Sequence, residues 1–213
     1  MHNPDQKHYW DEVTEEKEFP TPFQFAEFEK YVSRDMSILD VGCGYGRTLA
    51  ELKSKGFHNL TGIDYSQGMI NRGLRLYPDL DLIKTDGEKV PCGDCEFDVV
   101  ILLAVLTSIY HDNDQIELIS EISRVLKKGG ILYVNDYLLN QAQRNKDRYQ
   151  KYKSDYNIYG VFKLPEGAVF RHHTTEHILK LTESFKPLVF EKRVYNTMNG
   201  HISNGFYYIG RKK

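Results

Sequence analysis

The sequence predicts an α/β fold built on a mostly parallel, doubly wound sheet, closed by an antiparallel hairpin at the C-terminus. Three observations carry that prediction. Short apolar runs alternate with amphipathic stretches five times between residues 38 and 137. Such alternation buries strands under right-handed helical crossovers. A glycine-dense turn, "VGCGYG", joins the first run to the first amphipathic stretch. The last two strand-like runs, "PLVFEKRVYN" and "GFYYIGRKK", have only the turn-rich "TMNGHISN" between them, so they pair as a hairpin on the sheet edge.

Residues 1–36 read as a helical cap, with Phe25, Phe28 and Val32 at helical spacing after Pro20 and Pro22. Ile38–Val41 is a short buried strand. Thr48–Lys55 is a helix with Leu49 and Leu52 inward and Gly56 as its stop. Residues 59–64 form the second strand. Ser66 caps the following helix, which Pro78 ends. Residues 80–86 give a third strand and 97–105 a fourth, whose continuous apolar character suits a strand covered on both faces. Residues 114–130 give a helix with Ile116, Ile119, Ile122 and Leu126 inward, closed by two lysines and two glycines. Residues 131–137 are the fifth strand. The insertion at 138–173, with its interleaved Lys, Arg and Tyr, reads as a lid over a binding site. All of this describes one domain spanning 1–213.

Composition narrows the function. The chain has 213 residues, 40% of them hydrophobic, enough for a real core. A net charge of −2 argues against a dedicated nucleic-acid binder. The acidic N-terminus lacks a signal-peptide pattern, no run is long enough to span a membrane, and three cysteines do not make a disulfide framework, so a cytoplasmic location is expected. Cys92 and Cys95 form a lone C-x-x-C outside the context of a zinc or redox motif, and no metal is expected.

The glycine turn falls where open α/β sheets bind ligands, beyond the carboxyl ends of the strands. Glycine lets a ligand approach the main chain, and the next helix offers free N–H groups. Asp64 ends the second strand, where a carboxylate can accept two hydrogen bonds from a ribose; it can equally cap the helix that starts near Ser66. Two ligand classes compete: a dinucleotide, or S-adenosylmethionine. The glycines are Gly42, Gly44 and Gly46, and Arg47 stands where a dinucleotide fingerprint has its third glycine.

"ILDVGCGYGRTLAEL" resembles the first motif of the class I S-adenosylmethionine-dependent methyltransferases. "LTGIDYSQGMI", "LIKTDGEKVPCGDCEFDVVILLAVLTSI" and "EISRVLKKGGILYVNDY" follow in the family's order, and the resemblance covers roughly residues 35–137. It implies a Rossmann-like, seven-stranded sheet and the small-molecule branch of the family. It implies S-adenosylmethionine as cofactor and S-adenosylhomocysteine as product. Asp40 and the Gly42–Cys43–Gly44 main chain would line the methionine part, Asp64 the ribose, Tyr65 and Met69 the adenosine, and Asp86 with Gly87 the adenine. Leu103 would border the sulfonium. Where family members often carry a Glu-His pair, this chain has Thr107–Ser108.

No catalytic base stands out. His172, His173 and Tyr9 are candidates, with Trp10, His111, Asp136, Tyr137 and His177 nearby in the expected site. The histidines can equally be capping or surface residues, and Tyr9 a staple of the N-terminal cap. The acceptor is expected to be a small molecule, anionic or aromatic. Transfer to tRNA through the basic, tyrosine-rich insertion is the alternative. A nicotinamide oxidoreductase and a non-catalytic cofactor-binding module are the remaining readings.

Overall fold

The computed structural model describes residues 4–15, 17–197 and 200–213. Met1–Asn3 of the expected cap and Met198–Asn199 of the expected turn lie outside the described residues. Helix α1 (Pro4–Glu12) is followed by an extended stretch and by α2 (Phe25–Phe28). The predicted second cap helix is thus one turn long. Phe28 and Val32 are nonetheless buried, because hydrogen-bonded turns carry the chain on from α2.

From β1 (Ile38–Val41) the chain runs through α3 (Arg47–Ser54), β2 (Leu60–Asp64), α4 (Gln67–Leu76), β3 (Asp81–Lys84), β4 (Phe97–Leu103), α5 (Asp112–Val125) and β5 (Leu126–Tyr137). The insertion folds as α6 (Gln143–Tyr156) and a small hairpin, β6 (Val161–Lys163) with β7 (Val169–Arg171). Helix α7 (Thr175–Leu181) leads to β8 (Phe185–Asn196) and β9 (Ile202–Lys212). The seven-stranded sheet has the order β3-β2-β1-β4-β5-β9-β8. Strands β1 to β5 are parallel, and β9 and β8 join as the antiparallel C-terminal hairpin.

Alternate strand residues feed two cores. Leu39, Val100, Leu102, Leu132 and Val134 face one helical layer. Ile38, Val99, Ile101, Ile131 and Tyr133 face the other. A third cluster joins α1 to the insertion through Tyr9, Val13, Tyr149, Phe162 and Phe170.

Two expectations along α5 need correction. Ile116 is 57% exposed, and the buried stripe runs through Gln115, Leu118, Ile119, Ile122 and Val125. Both stripes have helical spacing, and the one holding Leu118 faces the sheet. The helix also ends at Val125. Leu126 already pairs with Phe97, Ile131 pairs with Val99, and the lysines and glycines between them bulge out of the strand.

Ser66 caps α4 as expected: its hydroxyl oxygen accepts from the Met69 N–H at 3.1 Å. The same hydroxyl donates to Asp11 of α1 at 2.6 Å. Ser66→Ala is expected to cost about 1 kcal/mol, the usual worth of a cap. Urea titration followed by circular dichroism checks this; an unchanged midpoint would contradict it.

Candidate cofactor and acceptor cleft

The strand order reverses between β1 and β4, so their carboxyl ends splay apart and leave a crevice. The glycine turn lies in it. The Gly42 and Cys43 N–H groups donate to the Ile63 carbonyl at 2.8 and 3.0 Å, which pins the turn to the end of β2. Gly42 and Gly44 have φ of +73° and +56°, a region that favours glycine. The turn is also hemmed in. A Cβ on Gly42 would stand 2.8 Å from Val105 Cγ2, and one on Gly44 would stand 2.6 Å from the Phe19 ring.

Two buried carboxyls flank this turn. Asp64 Oδ2 accepts from the Gly44 N–H at 2.9 Å, and its Oδ1 accepts from the Ser66 N–H at 2.8 Å. The expected alternatives for Asp64 therefore merge, since the strand-tip carboxylate also supports the entry to α4. Burial pushes its pKa up to about 6, against the pull of those N–H groups. Asp40, at 2% exposure, is pushed up to about 8 by burial and then by Asp64, with Arg47 pulling the other way. Its Oδ1 has no hydrogen-bond partner.

Asp40, Gly42, Cys43, Gly44, Asp64, Tyr65, Met69 and Leu103 all line one cleft of about 190 Å³. A neighbouring lobe of about 250 Å³ shares Gly42, Asp64 and Tyr65 and is bordered by Gly87. Asp86 is the exception among the expected cofactor residues. It lines neither space, and its exposed carboxylate accepts from the Glu88 N–H at 3.0 Å in its own turn. That bond holds its pKa below the usual carboxylate range.

The cleft continues under the insertion into a chamber walled by Trp10, Phe19, Tyr137, Phe162 and Phe170. Of the three candidate bases only His172 reaches it. Its Nδ1 lies 2.6 Å from the Tyr149 hydroxyl, and its ring stacks on Tyr137. Burial, and then Arg148, hold its pKa well below the usual histidine value, so the ring is neutral at physiological pH. His173 is fully enclosed, with Nε2 at 2.9 Å from the Gln115 amide and Nδ1 at 3.3 Å from the Tyr137 carbonyl. Thr174, not either histidine, caps α7. Tyr9 is buried edge-on between Trp10 and Phe170, outside the cleft lining.

Asp136 is fully buried; it accepts from the Thr107 and Tyr137 N–H groups at 3.1 and 2.7 Å. It fixes the turn at Leu106–Ser108, which borders the cleft. Sequence reasoning missed Phe19 over Gly44, Val105 over Gly42 and Arg148 in the chamber. The basic insertion was visible, but no spacing rule says which of its cations turns inward.

Sheet order, glycine turn and strand-tip acids are together the architecture of the Rossmann-like class I methyltransferases. Comparison with known proteins agrees. Residues 39–134 match the family described as a methyltransferase domain. The chain is 31% identical over 113 residues to the ubiquinone/menaquinone biosynthesis C-methyltransferase UbiE of Campylobacter jejuni, covering 50% of this chain and 47% of that one. It is 26% identical over 158 residues to cycloartenol-C-24-methyltransferase 1 of Oryza sativa, covering 71% and 45%. The chain thus spans about half the length of these curated relatives. Among solved structures, a SAM-dependent methyltransferase from Methanosarcina mazei superposes with a TM-score of 0.83 at 25% identity, over 90% of this chain and 98% of that one. The PH0226 protein of Pyrococcus horikoshii superposes at 0.70 and 20% identity, over 89% and 87%, which is a likeness of fold. Residues 39–134 therefore match a methyltransferase domain, set in a fold that the SAM-dependent methyltransferase from Methanosarcina mazei shares over nearly its whole length. No helix among the described residues is long and apolar enough to cross a membrane.

Proposed function

We propose that the chain is an S-adenosylmethionine-dependent methyltransferase acting on a small-molecule acceptor. The observation that carries this reading is the unpartnered, buried Asp40 Oδ1 beside a bare glycine turn, in a cleft that opens onto an aromatic chamber. A buried polar atom without a partner calls for one, and a cationic ligand laid along Gly42–Gly44 supplies it.

Bound there, the cofactor supplies a methyl group already activated by a sulfonium. Asp40 and the Gly42–Gly44 main chain hold its amino-acid end. Asp64 has a second lone pair on each oxygen for ribose hydroxyls. Tyr65 and Met69 flank the adenosine, Gly87 leaves room beside the adenine, and Leu103 borders the reacting end. Asp86, which lines neither lobe, joins the adenine only if its turn shifts toward the cleft.

The residues 138–173 act as the lid: they roof the chamber, exclude water and align the acceptor. Alignment of this kind can supply about 7–11 kcal/mol. For an acceptor that must lose a proton, His172 is the base. Its Nδ1 shares a 2.6 Å hydrogen bond with the Tyr149 hydroxyl, whose oxygen also accepts from the Asn140 N–H at 3.3 Å; the base role requires the tautomer with the proton on Nδ1, in which Nε2 is free to take a second. His173 and Tyr9 are support residues in this reading. Three cysteines without a disulfide fit a reducing compartment, and we place the protein in the cytoplasm.

The test is transfer of labelled methyl from the cofactor into a metabolite extract and bulk tRNA in parallel. Label in small molecules is expected. Label in tRNA would turn the reading to RNA. Label in neither, with tight cofactor binding, would leave a binding module. Cofactor binding is also expected to release a proton below pH 8. Asp40, held protonated when alone in the cleft, ionises opposite a cation. Calorimetry in buffers of different ionisation enthalpy measures this, and an apparent enthalpy independent of buffer would contradict it.

A further inference from the structure

The charges that line the cleft are sorted by position. Its acidic groups, Asp40 and Asp64, both lie at the strand tips, where the cofactor is placed. At the far end α6 presents Arg144 and Arg148, one helical turn apart, and no carboxylate lines that end. Arg47, the cleft's third arginine, is already committed to Glu51 and to the Thr21 carbonyl.

Among the described residues, neither Arg144 nor Arg148 makes an ion pair. Arg144 is exposed, but Arg148 is half-buried and its Nε is fully shielded with no hydrogen-bond partner. The guanidinium carbon lies 3.5 Å from the centre of the Phe162 ring. Stacking of that kind uses the face of the guanidinium and leaves its N–H donors in the plane unspent. The next residue on the helix, Tyr149, takes up one of these five donors at most, since its hydroxyl also bonds His172 and Asn140. A like-charged neighbour one turn away adds to the cost of keeping Arg148 there. An in-plane oxyanion would offset both costs, since the guanidinium fork matches a carboxylate or phosphate.

We propose that the acceptor is an oxyanion on a flat apolar body: Arg148, assisted by Arg144, binds the anionic group, and the rings of Trp10, Phe162 and Phe170 enclose the body. This rests on the methyl-transfer reading for the word acceptor, but the anion site itself does not. A carboxylate held at Arg148 also sets the distance from the body to His172, which shares that wall, and so selects which atom of the acceptor faces the cofactor end.

The test is calorimetric titration of the full chain with naphthoate, naphthyl phosphate and the neutral naphthamide, each with and without saturating S-adenosylhomocysteine. At least one anion is expected to bind roughly tenfold or more tightly than the amide, the scale of a charge-assisted hydrogen bond. Which anion wins distinguishes a carboxylate acceptor from a phosphate ester. Arg148→Gln is expected to abolish the preference while S-adenosylhomocysteine affinity stays unchanged and the chain still unfolds in one cooperative transition. Arg148→Lys, which keeps charge but lacks the planar fork, is expected to restore it in part. Equal affinity for anions and amide, failure of every probe to bind, or a preference that survives Arg148→Gln would overturn the proposal. Loss of S-adenosylhomocysteine binding with the anion preference intact would overturn the methyl-transfer reading alone.

Discussion

Asp64→Ala is expected to weaken S-adenosylhomocysteine binding roughly 10- to 100-fold, because hydrogen bonds to a charged group are worth about 1.5–3 kcal/mol. The loss has two sources. The ribose hydroxyls lose their acceptor, and the Gly44 and Ser66 N–H groups lose theirs. Each stranded buried donor costs about 1–3 kcal/mol, so the fold is expected to lose stability as well. Asp64→Asn separates the sources only in part, since its amide presents a donor where one of the two N–H groups needs an acceptor. A third consequence is less obvious. Asp64 helps to hold the pKa of Asp40 up, so removing it should lower that pKa and shrink the proton release on binding. Titration calorimetry reads affinity and proton release together. Unchanged affinity would remove Asp64 from the ribose role.

The ligand-free protein is expected to lose about 2 kcal/mol of stability between pH 6.5 and 8, by the linkage between pKa shifts and folding. Burial raises Asp40 to about 8 and Asp136 to about 7 in the folded chain. Unfolded, both titrate near about 3.9. Over this window the folded state therefore binds more protons, and stability falls as pH rises through the folded values. Below about pH 6.5 the buried, neutral His172 and His173 oppose this trend, because they protonate only on unfolding. Asp64, raised to about 6, joins the other two carboxyls here, so the two histidines offset only part of the trend and stability is expected to go on rising, more gently, down to about pH 5. Melting temperatures across this range test the shape. Asp40→Asn should flatten the alkaline limb, and a limb that persists unchanged in that variant would contradict the assignment to Asp40.

What was legible in the sequence follows a physical rule. The parallel sheet, the glycine turn and the Ser66 cap are set by local chemistry: apolar runs, residues tolerant of positive φ, and a hydroxyl three residues ahead of the N–H it receives. Eight of the ten expected cofactor residues converge on one cleft for that reason, with Gly87 in the adjoining lobe and Asp86 turned aside. The aromatic chamber was not legible. It is assembled from α1, the extended stretch after it, α6 and the β6–β7 hairpin, and their meeting depends on tertiary packing that leaves no periodic trace. The same holds for His172, which gains its place by bonding to Tyr149 of another element. The swap of Ile116 for Leu118 on α5 shows the limit within one helix, since two stripes of similar apolarity compete and only the partner surface chooses between them.

The central claim is that one cleft at the switch between β1 and β4 holds an adenosine-bearing sulfonium against the main chain of Gly42–Gly44. Crystals grown with S-adenosylhomocysteine test it most directly. The account predicts density lying along that turn, with ribose hydroxyls on Asp64 and the amino-acid end beside Asp40. Density elsewhere, or folded protein that crystallises without the ligand at saturating concentration, would contradict it.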